Sequence, residues 1–199
     1  MNHLFPPELR TASVVRRWSI VRTIHPDSVA EHQFYVAFYA VRLAQLLQWR
    51  GPVGDLMFYA LMHDAEELVT GDIVSPVKRG LVDEERADQF IEEQMHERLP
   101  LVHRQLAVIK ESEFGTQIER IVKVADKVDA CIFLILEQTT GNTRLAPLYQ
   151  DAEHNLITAV IDLGKELGYE DNDWSERLMA DEIGPALAAH WKHGGIGIT

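Results

Sequence analysis

The chain of 199 residues holds a single cysteine, Cys131, so it cannot form an internal disulfide. Cys131 sits in the apolar run Ala130-Cys131-Ile132-Phe133-Leu134 and reads as a small buried hydrophobe rather than a reactive thiol. Basic residues are also scarce: 19 Lys and Arg stand against 31 Asp and Glu, a formal charge of −12 with His neutral. Surfaces for polymeric nucleic acid are usually basic, so a long DNA or RNA is not the expected partner. A small anionic substrate stays open, because a local basic pocket acts within the screening length. No apolar stretch approaches the ~20 residues that span a bilayer; the longest runs from Ala130 to Leu136. Met1 to Arg10 has no apolar signal-peptide core. No membrane partner and a cytoplasmic location are therefore expected. Strand-like alternation is nearly missing, and there is no internal repeat. There is also no GxxxxGK[ST] loop, GxGxxG fingerprint, GxSxG elbow or CxxC pair, which removes the common nucleotide-cradling, serine-hydrolase and dithiol classes.

What is present is helical periodicity. With 46% apolar residues, a core can form without a structural metal, so any bound metal is expected to serve chemistry. The pattern predicts an all-α, single-domain bundle of about seven or eight helices over residues 1–199. Its motif-bearing core spans about 10–140, with further helices over about 145–191. The sequence predicts a short helix from Glu8 to Val15 and a loop from Thr23 to Asp27. Ser28-Val29-Ala30-Glu31 forms a capping box that starts the next helix, which should run to Gly51-Pro52. A second helix is predicted from Val53 to Val69, a loop from Gly71 to Pro76, and a charged helix from Asp83 to Leu99 with Ala87, Phe90, Ile91, Met95 and Leu99 inward. The longest helix, Thr116 to Gln138, carries a wide apolar face and should be central. Gly141-Asn142 ends it. Helices from Leu148 to Leu167 and Trp174 to Trp191 complete the chain, and their apolar residues beyond the core leave room for a homodimer.

Chemistry-bearing residues fall in order along this frame. His63 and Asp64, both common ligands of divalent metals, lie among apolar residues, and Glu67 stands one turn further on. Buried His, Asp and Glu on one turn are costly unless paired or metal-bound. Alone, the His-Asp pair is weak evidence, and a solvated face explains it as well. His32 near the start of the preceding helix and Asp126 inside the most apolar helix strengthen it, although a salt bridge to Lys123 or Lys127 would also account for Asp126.

In the order H…HD…D the chain resembles the HD-domain phosphohydrolases, and more narrowly their bacterial 5′-deoxynucleotidases and the related phage dATP triphosphohydrolases. The matching pieces are Arg17-Trp18, Ala30-Glu31-His32, Met62 to Glu67, Gly71-Asp72 with Ser75-Pro76-Val77-Lys78, and Val124-Ala125-Asp126. They cover residues 10–140, each weak alone and strong in register.

The resemblance implies roles only at these positions. His32, His63, Asp64 and Asp126 would hold one divalent ion, whether Mn, Co, Zn, Ni, Fe or Mg, since two nitrogens and two carboxylates do not single out a metal. Glu67 would serve the attacking water. Asp72 would contact the sugar or that water. Arg17 would hold phosphate, with Lys78 as a further point charge. Trp18 would pack on the sugar and base and disfavour a 2′-hydroxyl. The implied reaction is hydrolysis at the 5′ oxygen of a deoxynucleotide, releasing phosphate from a monophosphate or triphosphate from a dNTP such as dATP. Two other classes stand as alternatives. An HD-type di-iron oxygenase needs His ligands beyond this set, and the motif region has none. A non-catalytic helical interaction protein would bind no metal.

Overall fold

The computed structural model describes residues 6–73, 84–169 and 172–193. Lys78, Ser75-Pro76 and Val77 lie outside the described residues. Within the described residues there is no strand, and one isolated antiparallel bridge joins Arg16 to Ser28.

The predicted N-terminal helix is instead a 3₁₀ helix, Pro7–Ser13. Helix α1, Val29–Leu46, begins as expected. The Ser28 hydroxyl accepts the Glu31 N–H, and the Glu31 carboxylate takes the Ser28 N–H. The inward stripe is Val29, His32, Val36, Ala40 and Leu43, at helical spacing. The helix closes before the predicted Gly51-Pro52 stop. Gln48 takes the left-handed conformation (φ 50°), and the Gln48 and Trp49 N–H groups bond back to Gln45 and Ala44. A glutamine thus fills the place usually given to glycine in this closing motif.

The predicted helix from Val53 to Val69 is broken. Helix α2, Val53–Met62, stops one residue before His63; a turn over 63–66 leads into the short helix α3, Glu67–Thr70. The cause is a change of bonding pattern. Ala65 N–H bonds Met62 and Glu67 N–H bonds Asp64, three residues back instead of four. The Ala60 carbonyl, which a continuing α-helix would offer to Asp64, accepts from His63 Nδ1 at 2.8 Å. Gly71, at φ 74°, closes α3.

Helix α4, Glu84–Arg98, follows. Met95 and Leu99 are buried as predicted, whereas Phe90 is 54% exposed, so the inward face is narrower than its periodicity suggested. Helix α5, Pro100–Lys110, was not read from the sequence; Pro100 at its first turn is where proline suits a helix. Gly115 then allows a tight entry into α6, since a Cβ there would strike the backbone carbonyls of Ile109 and Lys110.

Helix α6, Gly115–Thr139, is central as predicted, burying Ile118, Ile121, Val122, Ala125, Cys131 and Ile135. Burial pushes the Cys131 thiol up to about 12. Helix α6 packs against α1, α2, α5 and α7, Ala146–Glu166. The last predicted helix is interrupted: α8, Asp173–Arg177, passes through a wide π turn, Leu178–Ile183, into α9, Gly184–His193. No helix of the described residues is long and apolar enough to cross a membrane.

Candidate metal centre

Three elements meet where the chemistry-bearing residues converge: the start of α1, the turn after α2, and the middle of α6. His32 reaches this point from α1 and is fully buried. Its Nδ1 lies 2.7 Å from Asp129 Oδ2 on α6. His63 Nδ1 lies 2.8 Å from the Ala60 carbonyl oxygen. A carbonyl or an ionised carboxylate can only accept, so in both rings Nδ1 carries the proton, and a neutral ring then presents a lone pair at Nε2. The two Nε2 atoms are buried and have no hydrogen-bond partner, and the rings stand 5.3 Å apart.

Carboxylates complete the group. Asp64 Oδ2 is 3.4 Å from His32 Nε2 and 3.4 Å from His63 Nε2. Asp126 Oδ1 is 3.4 Å from His32 Nε2. Donor atoms of His32, His63 and Asp126 all lie within 4.8 Å of one another. A separation of 3.4 Å is long for a hydrogen bond. It suits two donors on one ion, because bonds of about 2.1 Å at angles of 90–110° put the donors roughly 3.0–3.4 Å apart. The side chains therefore fit a divalent metal.

The electrostatics agree. Burial alone would lower the His32 pKa, but its bond to Asp129 and its contact with Asp64 outweigh this and raise it to about 9. Burial would raise the Asp64 pKa; the neighbouring His63 and His32 and then Arg17 hold it well below the usual carboxylate range. Asp126 is likewise held down, against burial, by Lys127 and the two histidines. The group favours positive charge at its centre, whether a proton or a cation. The alternative account of Asp126, a salt bridge to a neighbouring lysine, holds as well, with Lys127 Nζ at 2.7 Å; its other oxygen is the one nearest His32.

Arg17 borders this group. Its guanidinium contacts Asp27 at 3.1 Å, Asp129 at 3.5 Å and Asp126 at 4.0 Å. Trp18, next in sequence, adopts φ 59° and stacks on Phe133 of α6, centroids 5.3 Å apart and planes 11° apart. Glu67 opens α3 and is 8% exposed, while Asp72 follows Gly71, half-buried.

Two cavities flank His63. One of about 350 Å³ is bordered by Tyr59, His63, Glu119, Arg120, Lys123 and Asp126. The other, about 180 Å³, shares Tyr59 and His63 and is walled by Met62, Ile91, Met95 and Leu106.

Sequence reasoning missed Asp129 and Asp27. Both carried a faint signal: Asp129 lies three residues after Asp126 on the most apolar helix, and Asp27 directly precedes the capping Ser28. His25, outside the predicted pattern, is half-buried and pairs with the buried Glu137 at 2.9 Å.

Comparison with known proteins gives a consistent picture. Residues 5–163 match a family model described as 5′-deoxynucleotidase YfbR-like. A 5′-deoxynucleotidase of Yersinia pseudotuberculosis serotype I (strain IP32953) is 27% identical over 167 residues, covering 78% of this chain and 84% of the relative. A 5′-deoxynucleotidase of Yersinia pestis (strain Pestoides F) is 28% identical over 153 residues, covering 71% and 77%. Among solved structures, the cyanophage S-2L HD phosphohydrolase DatZ, bound to dA and one catalytic Zn²⁺ ion, superposes with a TM-score of 0.71 at 19% identity, over 95% of this chain and 99% of that one. An HD-domain phosphohydrolase of Listeria innocua gives 0.63 at 18% identity, over 92% and 86%.

Proposed function

The chain belongs to the 5′-deoxynucleotidase YfbR-like family, and from that premise we propose that it is a metal-dependent phosphohydrolase that cleaves the 5′ phosphate ester of 2′-deoxynucleotides. The observation that carries the reading is the pair of histidines whose buried Nε2 atoms, each with Nδ1 already engaged, converge beside Asp64 and Asp126. Residues 1–199 act as one HD domain. The net charge of −12 supports a small deoxynucleotide over polymeric nucleic acid as the partner.

His32, His63, Asp64 and Asp126 would hold the ion, and the two Nδ1 partners fix the ring orientations. A bound divalent cation supplies charge that polarises a phosphoryl oxygen and makes water more acidic. Glu67, buried one turn after His63, accepts a proton from the attacking water. Asp72 contacts the sugar or the same water. Arg17, anchored on Asp27 and Asp129, presents a preorganised guanidinium to the phosphate attached to the sugar. Trp18, braced by Phe133, packs on the deoxyribose and crowds the position of a 2′-hydroxyl. The same bond breaks in a monophosphate, giving phosphate, and in a dNTP such as dATP, giving triphosphate.

The test is a panel of dNMPs, NMPs and dNTPs with Mn, Co, Mg and Zn, with products separated by chromatography. Deoxynucleoside release that depends on metal is expected, with Glu67→Ala lowering kcat by roughly 10²-fold or more while metal remains bound. Equal rates on AMP and dAMP, or full activity in Glu67→Ala, would overturn the assigned roles of Trp18 or Glu67.

A further inference from the structure

Arg17 and Trp18, the proposed phosphate and sugar contacts, belong to an irregular loop over residues 17–27. Its two ends are joined: the Arg17 N–H donates to the Asp27 carbonyl at 3.1 Å, and the Arg17 guanidinium meets the Asp27 carboxylate at 3.1 Å. A loop of this length with its ends together is an Ω loop. It buries little of its own. Ile20 is 68% exposed and Ile24 55%, while Trp18 and Val21 pack beside Phe133 and Leu145. So few apolar contacts leave a loop easily opened unless polar bonds hold it.

Helix α6 supplies those bonds. Asp126, Asp129, Phe133 and Glu137 lie along one helical face, over about 16 Å at 1.5 Å per residue. Asp126 belongs to the candidate metal group, Asp129 contacts Arg17, and Phe133 stacks on Trp18. Glu137 takes the far limb of the loop. Its side chain is fully buried, and a buried carboxylate is costly unless its oxygens are occupied. Each oxygen accepts twice. Oε1 takes the His25 N–H at 2.6 Å and His25 Nδ1 at 2.9 Å; Oε2 takes the Ile24 N–H at 2.7 Å and the Asn142 amide at 2.7 Å. The Asn142 amide also donates to the Arg22 carbonyl at 2.9 Å. Arg22, Ile24 and His25 are thus fixed on the end of α6 through one carboxylate and one amide.

We propose that Glu137, with Asn142, is a positioning residue for substrate discrimination: it holds the Ω loop on α6 so that Trp18 crowds the 2′ position of the sugar. The inference rests on the phosphohydrolase reading for the role of Trp18, but nucleoside binding tests it without turnover. Glu137 acts through the loop and not on the reacting atoms. Glu137→Gln keeps the size of the side chain and opens no cavity, yet either orientation of the amide sets an NH₂ group against two donors. The far limb is then released. Trp18, held at φ 59°, becomes free to relax toward an ordinary backbone conformation.

Two measurements on the full chain test it. In the first, deoxyadenosine and adenosine are titrated calorimetrically into wild type, Glu137→Gln, Asn142→Ala, Trp18→Ala and the double variant of Glu137 and Trp18. Gln117→Ala is the control; it removes the acceptor of the Trp49 indole N–H, a bond of 2.8 Å elsewhere on α6. Wild type should prefer deoxyadenosine. Glu137→Gln should bind deoxyadenosine roughly tenfold more weakly, the low end for bonds to a charged group, with adenosine little changed. Asn142→Ala should show a smaller loss of the same kind; should Glu137→Gln fail to fold, this half-buried position decides alone. Gln117→Ala should match wild type, and Glu137→Gln added to Trp18→Ala should change the preference no further. No preference in wild type, an unaltered preference in Glu137→Gln and Asn142→Ala, an equal loss in Gln117→Ala, or a further loss in the double variant overturns the inference. In the second, dAMP and AMP are hydrolysed in parallel. KM for dAMP should rise about tenfold in Glu137→Gln with kcat within threefold, since the loop contributes binding. A fall in kcat at constant KM overturns the positioning role while keeping the phosphohydrolase. A chain that hydrolyses neither nucleotide, yet shows the nucleoside binding split, sinks the phosphohydrolase reading and keeps the positioning role.

Discussion

Asp129 never points at the centre of the metal group, yet it decides what His32 can do there. Its carboxylate accepts a hydrogen bond from the His32 Nδ1–H at 2.7 Å and also anchors Arg17 at 3.5 Å. Partners of this kind typically carry 10–100-fold in metal affinity. Asp129→Asn should therefore weaken metal binding by about that factor, read by competition with a chromophoric chelator, while far-ultraviolet circular dichroism stays that of wild type. Unchanged affinity would remove Asp129 from the site. Trp18 shows a different economy at the same scale. A left-handed non-glycine backbone costs on the order of 1–3 kcal/mol, and stacking on Phe133 helps offset it. The residues offered as ligands were legible because His and Asp amid apolar neighbours are conspicuous. Asp129 was not, because the contact that defines it spans 97 residues of sequence, and a carboxylate beside lysines has a nearer explanation.

Among the elements, the segment before α1 owes its path to one side chain. Glu137, fully buried near the end of α6, accepts the N–H groups of Ile24 and His25, pairs with His25 Nδ1 at 2.9 Å and takes the Asn142 amide at 2.7 Å. Burial would raise its pKa, but these donors, Asn142 foremost, lower it below the ordinary 4.5. A carboxylate whose folded pKa is depressed stabilises the fold above its unfolded pKa and loses that contribution as pH falls through the folded value. Glu137→Gln should thus lower the melting temperature at pH 7, by about 1–3 kcal/mol of stability. The gap to wild type should shrink as pH drops below 4.5. Parallel melting curves from pH 3 to 7 check this, and a gap that does not depend on pH would contradict it. Element starts were the legible part: the Ser28 cap and the Gly141 stop are local chemistry. The break of α2 at His63 was not, because its cause is a side chain bonding the Ala60 carbonyl, which periodicity alone does not register.

At the scale of the molecule, the candidate metal group ties α1, the turn after α2 and α6 together, and such a site does not exist in the unfolded chain. Mn or Co at a hundred times its dissociation constant should stabilise the fold by ~2.7 kcal/mol, or roughly 5–10 °C in a chain of this size. His63→Ala should abolish the rise; an identical rise in that variant would place the metal elsewhere. The all-α class and the central place of α6 were legible because a wide apolar face admits few arrangements. Helix α5 was not, since it packs in part against α2, distant in sequence; the π turn was not, since a widened turn leaves the apolar spacing of the flanking helices almost unchanged. The same long reach has a consequence for synthesis. During translation His32 emerges 97 residues ahead of Asp129, an interval of roughly 5–20 s at ordinary elongation rates. Through that interval the nascent α1 and α2 have no central helix to cover their apolar faces. A message cut short before α6 would release a polypeptide with those faces open, a client for chaperones rather than a smaller enzyme.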